Sequence, residues 1–219
     1  MQKNRKRLLI YVLSIISFCF LFLTVIVSVF PSSLVDREFS EEVQEHHYPV
    51  LDQVMKLVSW PGSMPYSLII VLFAAALFFI FKYKREALYT IFTLFSGVIS
   101  SSLKLLINRP RPTQDVVRIL EKANHQSFPS GHVLFYVIFF GFMILLMHHL
   151  KSISKAVRML VITLSLFLII NIPISRVYLG AHWFTDVTGG FLLGLLSLFV
   201  LSYFYLQGSK NPNTSNDNL

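Results

Sequence analysis

The sequence predicts an all-α polytopic membrane protein: a bundle of six transmembrane helices with a short amphipathic interfacial helix between the first two. Three observations predict it. Hydrophobic residues make up 54% of the 219 positions and charged residues only 14%, with a mean hydropathy of +0.64, which is far too apolar for a soluble domain of this length. Six stretches, at about 8–30, 64–82, 87–107, 132–150, 156–175 and 187–206, approach or exceed the roughly 20 residues that cross a hydrocarbon core. Basic residues also gather on alternate connections, as they do when charge marks one side of a membrane.

The first stretch follows K-N-R-K-R, the kind of basic start found on signal peptides. Its apolar run exceeds the roughly 7–15 residues of a cleaved signal, so it reads as an uncleaved anchor. Residues 31–63 then form an outer segment that opens with P-S-S and passes through an acidic run from Asp36 to Glu45. From Tyr48 to Trp60, Val50, Leu51, Val54, Met55, Leu57 and Val58 recur mostly at helical spacing, predicting a short helix packed at the membrane surface, broken by Trp60-Pro61-Gly62. The third stretch ends in S-S-S-L-K-L-L-I-N-R-P-R-P, with Pro110 and Pro112 as the stop. A polar loop over 113–127 returns at S-F-P-S-G-H, where Pro129 and Ser130 are start signals for the fourth. The fourth and fifth stretches are among the shortest. In the sixth, Gly190 and Gly194 form a G-x-x-x-G suited to close helix packing. Residues 1–207 thus read as one domain, and 208–219 as a polar cytoplasmic tail without fixed structure.

If six spans alternate, eleven of the nineteen basic residues fall on one side: Lys3, Arg5, Lys6, Arg7, Lys82, Lys84, Arg85, Lys151, Lys155, Arg158 and Lys210. By the positive-inside rule that side, with both termini, is cytoplasmic. The net charge of +8 is therefore largely a topological signal and implies no nucleic-acid partner. Cys19 is the single cysteine and can form no internal disulfide.

Against this apolar background the stretch from Ser175 to Asp186, S-R-V-Y-L-G-A-H-W-F-T-D, is conspicuous. Ionisable groups so close to lipid are costly and functional by default. If the last span begins helically here, His182 and Asp186 lie at i and i+4 on one face, where the carboxylate bonds one ring nitrogen and leaves the other free. Alternation of the spans brings two further blocks to the same outer side: Lys104 with Arg111, and Ser130, Gly131 and His132. Lys104, Arg111 and Arg176 would hold a tetrahedral oxyanion by charge-assisted hydrogen bonds. Ser130 and Gly131 add donors at a helix N-terminus, where phosphate is favoured, and His132 is able to transfer a proton near neutral pH.

In this order, K-x6-R-P (Lys104 to Pro112), P-S-G-H (Pro129 to His132) and S-R-x5-H-x3-D (Ser175 to Asp186) resemble the three-part signature of the type 2 phosphatidic acid phosphatase family, also called the lipid phosphate phosphatases. The resemblance in span count and order covers nearly the whole chain apart from its ends. It implies a metal-independent phosphatase with no cofactor, a lipid substrate and a phosphohistidine intermediate. His182 would attack phosphorus, Asp186 orient it, and His132 protonate the leaving oxygen before activating water. Lys104, Arg111, Ser130, Gly131 and Arg176 would hold the phosphoryl oxygens. The R-P-R-P run offers two arginines; the spacing from Lys104 favours Arg111, and Arg109 reads as a rim or lipid-headgroup contact. Arg118 and Lys122 read as solvated or interfacial charges, and Trp60, Tyr178 and Trp183 as interfacial aromatics, with pocket lining the alternative for the last two, which lie inside the signature.

The expectation is a bacterial-type multi-pass cell-membrane enzyme, active at the outer face, that removes a terminal phosphate from a lipid phosphate or pyrophosphate. Undecaprenyl pyrophosphate and phosphatidylglycerophosphate are the leading substrates. The sequence carries no signal of oligomeric state. A lipid phosphotransferase would use the same residues, with an acceptor hydroxyl in place of water. A vanadate haloperoxidase shares the signature but suits soluble proteins. An anion transporter would place its charges near the midplane on broken, repeated helices, whereas these lie at span ends. A zinc ion on His182 and Asp186 would sit awkwardly among three cations.

Overall fold

The computed structural model describes residues 2–123 and 125–208, so the expected tail lies almost wholly outside the described residues. Among the described residues there are nine α-helices and no strand: α1 (Gln2–Val29), α2 (Leu34–Glu45), α3 (Pro49–Ser59), α4 (Tyr66–Ile80), α5 (Lys84–Phe92), α6 (Phe95–Ile107), α7 (Gly131–His149), α8 (Lys155–Tyr178) and α9 (Phe184–Gly208). Five segments are long and apolar enough to cross a membrane: Lys6–Val29, Lys84–Ile107, Gly131–His149, Lys155–Tyr178 and Phe184–Gln207. A sixth crossing is available if Pro49–Gly62 and Tyr66–Ile80, bent by 58°, count as one broken span.

That bent pair revises the expected second span. Helix α4 has 15 residues, about 22 Å at 1.5 Å per residue, short of a core about 30 Å thick. Helix α3 and the 3-10 turn Trp60–Gly62 precede it, with Val58 and Ser59 buried. The expected surface helix is therefore also part of the bundle. It packs on α8, where the Ser175 hydroxyl donates to Met55 O at 2.6 Å.

Two other elements depart from the sequence reading. The acidic run is helix α2, started by Ser33, whose Oγ accepts the Asp36 N–H at 3.2 Å and donates to Asp36 Oδ2 at 2.8 Å. The third span is interrupted at Thr93 and Leu94. There the i→i+3 bonds of a tightened turn (Thr93 N to Thr90 O, Leu94 N to Ile91 O) replace the α pattern, and Thr93 Oγ1 also donates to Thr90 O at 2.6 Å. Helix α6 ends at Asn108 rather than at the prolines. Asn108 adopts φ 50°, ψ 38° and its N–H closes on Lys104 O, a left-handed cap that asparagine tolerates.

Helix α7 is the axis of the bundle. Twelve of its residues are buried, among them Val133, Tyr136, Val137, Phe142 and Leu146, and it packs on α8, α9 and α6. Lipid is as apolar as these side chains, so shape fit rather than water exclusion holds such helices together. Gly190 and Gly194 of α9 supply it: a Cβ on Gly190 would press on Ser130 O, and one on Gly194 on Val137. Helix α1, by contrast, packs on α9 and leaves Leu8, Tyr11, Ile15, Phe18 and Leu21 exposed, as a lipid-facing helix does.

Candidate active site

The C-terminal ends of α6 and α8 and the N-terminal ends of α7 and α9 lie at one end of the bundle, and the three signature blocks meet there. Ser130 N–H donates to Asp186 O at 3.0 Å, and Ser127 N–H to Arg109 O at 2.8 Å. Arg111 Nη1 lies 3.4 Å from His182 Nε2 and also donates to Ala181 O. Lys104 Nζ reaches across to Gln126 O at 2.6 Å and Ser127 O at 3.2 Å. These bonds join segments that the span count alone placed on one side.

His182 stands in the turn between α8 and α9, before the helix begins, so the His182–Asp186 pair is not the helical i, i+4 face expected. The turn needs Gly180, whose φ is +67° and whose Cβ would strike Arg118 O. Asp186 lies in the first turn of α9, fully buried, with Oδ2 accepting the Trp183 N–H at 2.8 Å and the Ser127 hydroxyl. His182 Nδ1 is 3.5 Å from that Oδ2 and 3.4 Å from Ser127 Oγ. With Nδ1 facing these oxygens, Nε2 is the nitrogen turned toward Arg111. Burial holds the His182 imidazole well below its ordinary pKa of 6.5, with Arg111, Lys104 and Arg176 adding to the effect. Arg111, buried and beside Arg176, is lowered to about 10 and remains a cation at neutral pH.

Arg176 occupies the last turn of α8 and is almost wholly buried, with Nη1 donating to Ser59 Oγ at 2.5 Å and to Glu121 Oε2 at 2.8 Å. Its Nε has no partner, and neither does Ser130 Oγ at the start of α7. Arg118 Nε, on a guanidinium held by Asp52, is a third such atom. Buried polar atoms normally find partners, and the two within the signature blocks mark a place where a polar ligand belongs. His132, the second residue of α7, has Nε2 3.2 Å from Ser63 Oγ. Gly131 lets α6 approach, since a Cβ there would press on Ser100 Oγ. A cavity of ≈ 380 Å3 opens beside the cluster, lined by Arg111, Pro112, Glu121, Lys122, Gly180 and Ala181. The larger apolar groove, ≈ 530 Å3 between α5, α6 and α9, touches none of the signature residues.

The structure corrects the reading of Arg109. It is 1% exposed, not at a rim, and it donates to Asp186 Oδ1 at 2.5 Å, Thr185 Oγ1 at 2.7 Å, Asp36 Oδ2 at 2.7 Å and Pro31 O at 2.8 Å. Arg118 is likewise paired, to Asp52 at 2.6 Å, with the Tyr178 hydroxyl on the same carboxylate at 2.6 Å; Gln44 Nε2 ties the two segments together by donating to Arg118 O and Tyr178 O. Tyr178 and Trp183 are buried rather than interfacial, Trp183 Nε1 donating to Pro110 O at 3.2 Å. Sequence reasoning missed Asp36, Ser59, Ser63, Glu121, Ser127 and Thr185. Ser127 had a usable signal, its place two residues before the P-S-G-H block, and Asp36 only a helix-start signal, its S-x-x-D spacing from Ser33.

Fold and site together define a class: a polytopic helical membrane protein with a buried histidine and a cluster of cations at one end of its bundle. A family model described as the PAP2 superfamily matches residues 85–209, and the chain belongs to that superfamily. It is 32% identical over 174 residues to phosphatidylglycerophosphatase B of Bacillus subtilis (strain 168), covering 77% of this chain and 82% of that one. The crystal structure of a transmembrane PAP2-type phosphatidylglycerolphosphate phosphatase from Bacillus subtilis matches with a TM-score of 0.78 and 27% identity, over 92% of this chain and 98% of that one. Aquifex aeolicus LpxE shares the fold, with a TM-score of 0.59 at 20% identity over 81% of this chain and 98% of that one.

Proposed function

We propose that the protein is an integral-membrane lipid phosphatase that removes a terminal phosphate from a lipid phosphate or pyrophosphate at the outer membrane face, through a phosphohistidine. The observation that carries the reading is the pair of partnerless buried atoms, Ser130 Oγ and Arg176 Nε, in a cluster that also holds His182. A tetrahedral anion would supply the missing partners.

In this reading Lys104, Arg111, Ser130, Gly131 and Arg176 hold the phosphoryl oxygens and neutralise the charge that spreads over them in the transition state. Arg176 exchanges Glu121 for phosphate, and Lys104 exchanges backbone carbonyls. His182, neutral because burial disfavours its protonated form, attacks phosphorus through Nε2 while Nδ1 faces Ser127 and Asp186. The bond to the lipid oxygen breaks, and His132 donates the proton that this oxygen takes up. His132 then removes a proton from water, which attacks the phosphohistidine and releases phosphate. Among the described residues no three of His, Cys, Asp and Glu cluster as metal ligands, and the reading needs no metal or cofactor.

Phosphatidylglycerophosphate is the leading substrate, because it is named for both Bacillus relatives, with undecaprenyl pyrophosphate next. The purified protein in detergent micelles should release phosphate from phosphatidylglycerophosphate, undiminished by a strong chelator. His182→Ala should abolish release while the variant still inserts in the membrane. Turnover by that variant would remove His182 as nucleophile, and inhibition by the chelator would remove the metal-independent route.

A further inference from the structure

Asp186 presents two oxygens to different surroundings. Oδ2 faces the site, with Ser127, Trp183 N–H and His182 Nδ1 around it. Oδ1 faces away and accepts from Arg109 at 2.5 Å. An arginine beside a carboxylate ordinarily grips both oxygens with its planar fork. Here the fork is divided: Nη1 goes to Asp186 and Thr185, while Nη2 goes to Asp36 Oδ2 at 2.7 Å and Nε to Pro31 O at 2.8 Å.

Asp36 is the reason for the division. It is 0% exposed and arrives from α2, 73 positions from Arg109 in sequence. Its second oxygen, Oδ1, accepts the Thr185 N–H at 2.9 Å and hydroxyl at 2.8 Å, so it also caps the first turn of α9, the turn that carries Asp186. The Ser33 hydroxyl at the start of α2 holds Oδ2 at 2.8 Å. A continuous line of bonded side chains thus runs from α2 through Asp36 and Arg109 to the carboxylate beside His182. The Arg109–Asp186 pair alone would be neutral; with Asp36 the trio carries one negative charge, the sign that stabilises a positively charged imidazole ring on His182.

We propose that Asp36 and Arg109 are positioning residues for the histidine: Asp36 holds half of the Arg109 fork, so that Arg109 fixes Asp186 by one oxygen and leaves the other turned to His182 Nδ1. The inference rests on the phosphatase reading and extends it to a helix outside the three signature blocks.

The test is Asp36→Asn, which keeps shape and removes charge, made in the unsubstituted protein and in an Asp186→Asn background. Phosphate release from phosphatidylglycerophosphate in micelles gives kcat and KM, and size-exclusion and thermal unfolding in detergent report folding. In the unsubstituted background kcat should fall about ten- to a hundredfold with KM changed less than about threefold, the scale of losing support behind a reacting group. In the Asp186→Asn background the same change should cost less than about twofold, because the group it acts through is already gone. Arg109→Lys, which keeps the charge but not the fork, should repeat the pattern and carries the test if Asp36→Asn does not fold. Equal losses in both backgrounds, no loss in either, or failure of both variants to fold would overturn the proposal and leave the pair a purely structural brace. An unsubstituted protein inactive on every lipid phosphate would instead sink the phosphatase reading, and this inference with it.

Discussion

His182 owes its character first to burial and then to three neighbouring cations, all of which disfavour a further positive charge. The charged and titratable groups facing it are Arg111, Lys104, Arg176, His132 and Asp186, and the three cations add to the effect of burial. In the proposed mechanism the reactive form of His182 is neutral, and a lowered pKa means that protonation sets in only at lower pH. The acid limb of kcat/KM, which reports the free enzyme, should therefore lie below the ordinary 6.5. A limb at or above that value in a pH series would show the imidazole to be unperturbed. At this scale the motif residues were legible because their chemistry is written in short spacings. Asp36 was not, since its partners Arg109 and Thr185 are 73 and 149 positions away and no local pattern encodes such a contact. Arg109 was misread for a related reason: two arginines two residues apart look alike in sequence, and only the turn after the left-handed Asn108 sends one inward and the other toward His182.

Among the elements, the α7–α9 contact does most to place the site, because it sets Ser130 against Asp186. Its G-x-x-x-G was plain in the sequence, and Gly194 lies where a Cβ would overlap Val137. Gly194→Leu should wedge the helices apart, costing about 1–3 kcal/mol of overpacking and lowering activity in proportion, measured as a fall in unfolding temperature in detergent and in phosphate release. An unchanged unfolding temperature would show that the helices do not meet there. Other elements were hidden for physical reasons. The break between α5 and α6 contains neither proline nor glycine at Thr93 and Leu94; threonine hydroxyls bonding back to carbonyls make it. Helix α2 looked like an acidic loop, although Ser33 and Asp36 have the S-x-x-D spacing of a capping box. Helix α3 was read correctly as amphipathic, but periodicity says which face is apolar and not how deeply a bent pair sinks that face.

For the whole molecule, five of the six expected crossings were legible as long apolar helices, because hydropathy is a long-range average that survives local error. The second proved to be a bent pair, and the positive-inside rule adds the expected sides. Together they propose that the connection between α6 and α7 is external and that between α7 and α8 cytoplasmic. In a Cys19→Ala background, Lys122→Cys should react with a membrane-impermeant maleimide on intact cells, and Lys151→Cys only after lysis. The opposite pattern would invert the molecule and put the histidines in the cytosol.

The amide of Ser130 meets the carbonyl of Asp186, so the start of α7 is tied directly to the first turn of α9. A chain that has delivered only α1 to α8 holds the lysine, the arginines and the first histidine, but neither the second histidine nor the carboxylate behind it. In the proposed mechanism hydrolysis can then begin only once α9 has docked, which makes that contact a precondition of catalysis.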